Sequence, residues 1–233
     1  MRIIALGDTH GRTIWKDIVA KELDSSDKIV FIGDYFDTHY DETPEQQLSN
    51  FNDIIEFKKA NMDKVMVLIG NHDFHYLSGI NESYSGFQFG WAKEFNKVLE
   101  AALSEGLMQM CYVYDKYVFT HAGVTNTWCL THKVNRQPHL LEDAINHLFK
   151  TNKYAFYFQM GHNYSQSGDD VTQSPIWVRI PSLFNDGLID FTFVVGHSTL
   201  KELTITDRII GIDTLGVTGE YLIIENNIPK SSK

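Results

Sequence analysis

The sequence predicts an α/β protein built on a mixed, partly parallel sheet or pair of sheets. Two patterns lead there. Short apolar runs alternate with helix-spaced segments through the first half, as expected of strands joined by helical crossovers. The end of the chain is richer in strand-like runs, so part of the sheet pairs without intervening helices. A third feature bears on function. The chemically loaded runs end in a glycine or small residue followed by Asp, Asn or His, which suits the edge of an active site.

Ile3 to Leu6 is too uniformly apolar for a strand with one wet face, so it reads as a buried strand, ending in Gly7-Asp8-Thr9-His10-Gly11. The stripe Ile14, Ile18, Val19 predicts a helix over 13–23. Ile29 to Ile32 is a second buried strand, ending in Gly33-Asp34-Tyr35-Phe36-Asp37. Thr43-Pro44-Glu45-Gln46 is a helix start, with Thr43 as cap, Pro44 in the first turn and Gln46 closing a capping box. Val65 to Ile69 is a third strand, and Gly70 turns the chain into Asn71-His72-Asp73.

Residues 74–86 read as a polar loop and 89–107 as a helix ending at Gly106. Residues 108–114 and 116–120 read as paired strands around Asp115, leading to His121-Ala122-Gly123. Pro138 opens a helix with Leu141, Ile145 and Leu148 on its buried face. Residues 151–190 read as an irregular segment over the site, with an aromatic cluster of Tyr154, Phe156, Tyr157 and Phe158. Phe191 to Val195 is a strand ending in Gly196-His197. Arg208–Ile212 and Glu220–Glu225 read as a final strand pair turned at 216–219, and the tail from Pro229 as frayed.

At 233 residues, 43% hydrophobic and 21% charged, the chain has ample core material. The net charge of −10 argues against nucleic acid and against an anionic membrane as partners. Anionic substrates stay open, because a bound metal reverses the local field. Cys111 and Cys129 form no C-x-x-C motif, and a reducing cytoplasm is the expected location. The first apolar run meets Asp8 too soon for a secretory signal, and no run is long enough to span a membrane.

Hard divalent cations take oxygen and imidazole ligands held on short loops. Asp8 and His10, two apart, can face one metal, and the Asp34 carboxylate can bridge to a second. Asn71 offers that second ion a neutral oxygen, and His121 and His197 can complete it. Taken singly, a strand-end Asp is more often a turn cap and a strand-end His a structural hydrogen-bonding residue. Five such strand ends in one chain point to one shared site. His72 is then surplus as a ligand and better suited as a general acid, with Asp37, or alternatively Asp73, holding its ring.

The ordered set D-x-H, G-D-x-x-D, G-N-H-D, a lone His and G-H, from Asp8 to His197, resembles the calcineurin-like metallophosphoesterases. That resemblance implies a two-sheet sandwich flanked by helices; the chain itself reads as a single domain over 1–233, with 138–190 a helix plus irregular segment over the active site. It also implies two divalent ions, manganese first among manganese, iron, zinc, nickel and magnesium. Asp8, His10 and Asp34 would hold one; Asp34, Asn71, His121 and His197 the other. A water bridging them would attack phosphorus, with His72 as acid and Asp37 as its partner.

Gly33-Asp34-Tyr35-Phe36-Asp37, Thr120-His121-Ala122-Gly123 and Ile212-Asp213-Thr214 look like the serine/threonine protein phosphatase branch, in its bacterial and bacteriophage form, and the related diadenosine tetraphosphate hydrolases. Trp177-Val178-Arg179 resembles the W-x-R of that group, whose arginine grips phosphate. Thr199 stands where nuclease-type relatives carry the second histidine of G-H-x-H. The branch usually has an arginine after G-D-x-x-D; here Thr38 and His39 follow, and a threonine cannot supply a bidentate grip. His39 or Arg12 are possible replacements, and His162 a possible neighbour of the site. The expected activity is a phosphatase of phosphomonoesters, including phosphoserine or phosphothreonine. The alternatives are a nucleotide or dinucleoside polyphosphate hydrolase or phosphodiesterase, with the aromatic cluster stacking a base, and a non-catalytic scaffold of this fold.

Overall fold

The computed structural model describes residues 1–38, 40–159 and 168–233. Ten strands form two mixed sheets of five. The first sheet is built around β1 (Arg2–Leu6), β2 (Lys28–Phe31) and β3 (Val65–Val67), all parallel. Beyond β1 lie β9 (Leu222–Glu225) and β10 (Ile228–Ser231), both antiparallel to their neighbours. The second sheet has the order β4 (Tyr112–Tyr114), β5 (Tyr117–Phe119), β6 (Thr192–Val195), β8 (Ile209–Gly211), β7 (Thr204–Ile205), with β5, β6 and β8 parallel.

The alternation of side chains along each strand explains the two-sided apolar character of the runs. Ile3 and Ala5 of β1, with Val30 and Ile32 at β2, meet Phe119, Val194 and Ile210 of the other sheet in the interior of a sandwich. Ile4, Leu6, Ile29 and Phe31 face the opposite way, toward Trp15, Ile18 and Phe51 of the helices. Those helices are α1 (Ile14–Glu22) and α2 (Pro44–Ala60). Helix α2 begins with the expected box: Thr43 accepts from the Gln46 N–H, and the Gln46 side chain accepts from the Thr43 N–H.

The chain differs from expectation in four places. The Gly70 turn runs straight into a four-residue helix, α3 (Asn71–Phe74), followed by α4 (Ala92–Ser104). The stretch read as irregular, 151–190, contains a 3-10 turn (Lys153–Phe156) and α7 (Ile180–Asp186), and an unexpected short helix, α5 (Asn126–Thr131), precedes the expected α6 (Leu141–Thr151). The last two strand runs are not a pair: β8 belongs to the second sheet and β9 to the first. The tail is not frayed but supplies β10, whose Pro229 sits on an edge strand where a missing N–H costs no interior ladder bond. Cys111 and Cys129 are buried free thiols. Among the described residues no helix is long and apolar enough to cross a membrane.

Candidate metal centre and active site

The carboxyl ends of β1, β2 and β3 in one sheet meet those of β5, β6 and β8 in the other along one edge of the sandwich. Asp8 and His10 leave β1, Asp34 leaves β2, and Asn71 and His72 open α3 after β3. His121, His197 and Asp213 leave β5, β6 and β8. Together they surround a cleft of about 460 Å³, except for His121, which is wholly buried against Asp34 and Asn71.

The backbone is bent to achieve this. His10, Asp34, Asp37 and His197 have φ of 45°, 56°, 61° and 62°, the left-handed region. Each such residue costs on the order of 1 kcal/mol, and strain of that kind persists where surrounding contacts over-determine it. Gly70 and Gly196 allow the close approach. A Cβ on Gly70 would lie 2.1 Å from Asp34 Oδ1, and one on Gly196 2.0 Å from Asp8 Oδ1.

The donor set around Asp34 is dense. Asp34 Oδ2 is 3.2 Å from His121 Nε2 and 3.9 Å from His10 Nε2. Asn71 Oδ1 is 2.9 Å from both His121 Nε2 and His197 Nδ1. Asp8, Asp34 and His121 offer ligand atoms that all lie within 4.8 Å of one another. The far nitrogens set the tautomers. His10 Nδ1 faces the Phe36 carbonyl at 2.6 Å and His121 Nδ1 the Ile32 carbonyl at 3.1 Å. A carbonyl only accepts, so each Nδ1 carries the proton and each Nε2 turns a lone pair toward the site. At His121 that lone pair faces two acceptor oxygens, an arrangement that calls for a cation or a second ring proton.

Two further atoms fit a cation. Asp8 Oδ1 and His197 Nε2 are buried without a hydrogen-bond partner among the described residues, which is costly unless something pairs with them. Burial, with His121 and Arg179 nearby, holds the His197 pKa well below its usual value. Burial takes His10 down to about 4, against the pull of Asp34. Neutral imidazole is the form that ligates. Burial and the charges of Asp213 and Asp34 raise Asp8 well above the usual carboxylate range. Burial also works against Asp34, but His121 and His72 pull it well below that range. The residues present fit divalent cations.

His72 stands beside this set. Its Nδ1 is 3.0 Å from Asp37 Oδ2, and its backbone N–H donates to Asp34 Oδ1 at 2.9 Å. Burial depresses His72, but Asp34 and the Asp37 hydrogen bond more than offset this and raise its pKa to about 8. Asp73 has a different task. Its carboxylate accepts the N–H groups of Asp34, Tyr35 and Gly70, each at 2.8 Å, and so ties the end of β2 to the turn after β3.

Arg179 caps α7 and lines the cleft, with Nη1 3.4 Å from Ser198 Oγ and its backbone N–H on Asp169. Thr38 donates to Glu42 at 2.7 Å and accepts the Tyr40 N–H, so it organises its own loop. Arg12 lies 4.5 Å over the Tyr40 ring and donates to the Thr9 carbonyl, which directs it away from a clamp role. His39 and His162 lie outside the described residues. Of the aromatic cluster only Phe158 lines the cleft, with Tyr84 and Trp177; Phe156 is core and Tyr154 is exposed.

Sequence reasoning missed His75. It is buried, with Nε2 2.6 Å from Asp37 Oδ2. The i, i+3 spacing from His72 in a polar strand-end segment was the available signal. Asp213, which accepts from Thr199 Oγ1 at 2.8 Å, was noticed only through the likeness of its motif.

The family model for calcineurin-like phosphoesterases matches residues 1–218. The chain belongs to the calcineurin-like phosphoesterase family. It is a metal-dependent phosphoester hydrolase with the α/β metallophosphoesterase fold, and its family implies divalent metal ions and a phosphorylated substrate. No curated protein matches this phosphoesterase in sequence. Among solved structures, a protein serine/threonine phosphatase from Saccharomyces cerevisiae is similar at TM-score 0.53 and 12% identity, over 99% of this chain and 79% of that one. That likeness is one of fold. A phosphoesterase from E. coli follows at TM-score 0.40 and 11% identity, covering 98% and 91% of the two chains. A metallophosphoesterase from Sphaerobacter thermophilus follows at 0.39 and 14%, covering 97% and 83%.

Proposed function

We propose that this phosphoesterase is a dinuclear phosphomonoesterase of the protein-phosphatase-like branch, with phosphoserine, phosphothreonine or a small phosphate ester as substrate. One observation carries the reading: Asp34 has candidate ligands on both sides, and His72, the histidine outside that ring, is backed by Asp37. Asp8, His10 and Asp34 would hold one ion, and Asp34, Asn71, His121 and His197 the other, with manganese the first choice. When bound, such ions make water nucleophilic at neutral pH and offset phosphoryl charge. His72, with Nδ1 held by Asp37, gives the Nε2 proton to the leaving oxygen. Arg179 grips a phosphate oxygen from the rim of the cleft. The chain acts as one domain, and Phe158, Trp177 and Arg179 from the segment 138–190 form a wall of the site.

A second reading is a nucleotide or dinucleoside polyphosphate hydrolase, favoured by Tyr84, Phe158 and Trp177 around the cleft, where a base could stack. The discriminating experiment is a panel assayed with the manganese-loaded protein: nitrophenyl phosphate, its bis-ester, a phosphothreonine peptide and diadenosine tetraphosphate. The first reading expects the monoester and peptide to be turned over fastest. Preference for the dinucleotide or the bis-ester replaces it, and no turnover of any sinks it.

Two substitutions extend the test. His72→Asn is expected to keep both metal equivalents and lose about 10²–10³ in kcat on esters with poor leaving groups, the range of a general acid. Metal loss in that variant would mean His72 is a ligand instead. Arg179→Ala is expected to raise KM about tenfold, or about 1.4 kcal/mol, with kcat little changed. Unchanged steady-state parameters would remove Arg179 from substrate binding.

A further inference from the structure

Asp37 is held by far more contacts than a carboxylate needs merely to stay buried. Its backbone N–H donates to Gln47 Oε1 at 2.8 Å. Its Oδ1 accepts from Tyr76 Oη at 2.5 Å and Gln88 Nε2 at 3.1 Å. Its Oδ2 is shared by two histidines, His72 Nδ1 at 3.0 Å and His75 Nε2 at 2.6 Å. The His75 side chain is wholly buried, stacked on Tyr84 at 5.3 Å and met edge-on by Tyr76 and Phe87. A phenylalanine would fill that aromatic slot as well, so packing alone does not account for an imidazole there.

The tautomer of His75 follows from its other nitrogen. The Tyr84 N–H points at Nδ1 from 3.4 Å, so Nδ1 is the acceptor and Nε2 carries the ring proton toward Asp37. A protonated nitrogen does not ligate, and this weighs against a third cation among Asp37, His72 and His75, close as they are. The Nε2–H direction lies off the line to Oδ2, so the pair is a close contact and not an aligned hydrogen bond. Bonds of this kind in catalytic sites commonly straighten when substrate is bound.

We propose that His75 is a positioning residue for the general acid: it pins the Asp37 oxygen that holds His72 and so fixes the aim of the His72 ring. This rests on reading His72 as the acid. Without His75, the Asp37 carboxylate pivots about the oxygen held by Tyr76 and Gln88, and His72 follows it. The defect then falls on protonation of the leaving group, and binding is spared.

The test compares His75→Asn and His75→Gln in the metal-loaded full chain. An asparagine amide overlays Nδ1 and keeps the Tyr84 contact. A glutamine amide reaches the place of Nε2 and can donate to Asp37. On phenyl phosphate, His75→Asn is expected to lose about tenfold to a hundredfold in kcat, the usual cost of an outer supporting residue. On dinitrophenyl phosphate, whose leaving group needs little protonation, it loses less than about twofold. KM and metal content stay unchanged, and His75→Gln stays within about threefold of the parent on both esters. Equal slowing on both esters, or glutamine as slow as asparagine, overturns the proposal. His72→Asn in the same series separates the two readings. If it too slows both esters equally, the acid role itself falls. If it shows the leaving-group dependence and His75→Asn does not, only the role of His75 falls. Nitrogen-15 spectra of the parent protein, which need no variant to fold, should find His75 in the Nε2–H form, and an Nδ1–H form overturns the proposal outright.

Discussion

Asp34→Asn is expected to lower kcat/KM by about 10³-fold or more, about 4 kcal/mol at 1.36 kcal/mol per tenfold, and to remove at least one of two metal equivalents. The substitution keeps shape and can keep the hydrogen bond from the His72 N–H to Oδ1. What it removes is charge at the point where both halves of the candidate centre meet, Oδ2 between His121 at 3.2 Å and His10 at 3.9 Å. An amide can also turn an N–H toward the lone pair of His10 or His121 and so occupy it in place of a cation. Burial opposes the ionised form of Asp34, and its positive neighbours hold it ionised. An amide leaves that field unanswered. Elemental analysis of the purified variant beside its steady-state kinetics checks this. Two full metal equivalents with near-normal kcat/KM would show that Asp34 is no bridge.

The residue types at this centre were legible because strands buried on both faces cannot hide polar groups in mid-run. Asp8, Asp34, Asn71, His121 and His197 therefore stand out at the ends of Ile3–Leu6, Ile29–Ile32, Val65–Ile69 and the runs before His121 and His197. Helix α2 was legible for another reason: Thr43, Pro44 and Gln46 act within one turn, so their meaning is local. Partners remote in sequence were not legible. Leu222–Glu225 reads as a strand from its own pattern, but nothing in that pattern says it pairs with Arg2–Ala5 and not with the neighbouring run. Ile228–Ser231 hid behind a proline and a lysine, which suit an exposed edge strand as well as a loose tail. Helices α5 and α7, of 6 and 7 residues, are too short to develop an amphipathic period. The same limit governs the site. Whether Asp37 or Asp73 backs His72 depends on which carboxylate the fold turns toward it, and Asp73 is spent on three backbone N–H groups.

Removing the metal is expected to abolish activity and to lower Tm by about 10 °C near pH 8. A ligand at about a thousand times its Kd contributes about 4 kcal/mol to stability, and a chain of this size shifts about 2–4 °C per kcal/mol. The loss should depend on pH, and the sign follows from the buried groups. Burial raises Asp8, and burial with the Asp34 charge raises Asp73 to about 7 and Asp213 above its usual value. A carboxyl raised on folding stabilises fully below its unfolded value of about 3.9 and loses that contribution as pH rises through the folded value. His10, at about 4, and His197 are depressed, so between about pH 4 and 6.5 they gain stability with rising pH and offset the carboxyls. Above about pH 6.5 that compensation ends. His72, at about 8, and His121 are both raised on folding despite burial, through Asp34 above all, so they begin to lose their contributions only above about pH 6.5, His72 up to about pH 8, while that of Asp73 runs out near pH 7. The chelated protein should thus be nearly level in stability from pH 5 to 6.5 and fall toward pH 8, by up to about 1.4 kcal/mol per pH unit for each proton retained on folding. Bound cations weaken this dependence, because they take the place of the protons on Asp8 and His121 and their charge opposes protonation of the neighbouring carboxyls. Melting curves with and without chelator at pH 6 and pH 8 should therefore diverge more at pH 8. Curves that coincide at both values would mean that the crowded carboxylates and imidazoles are stable by themselves and that the centre was not built around cations.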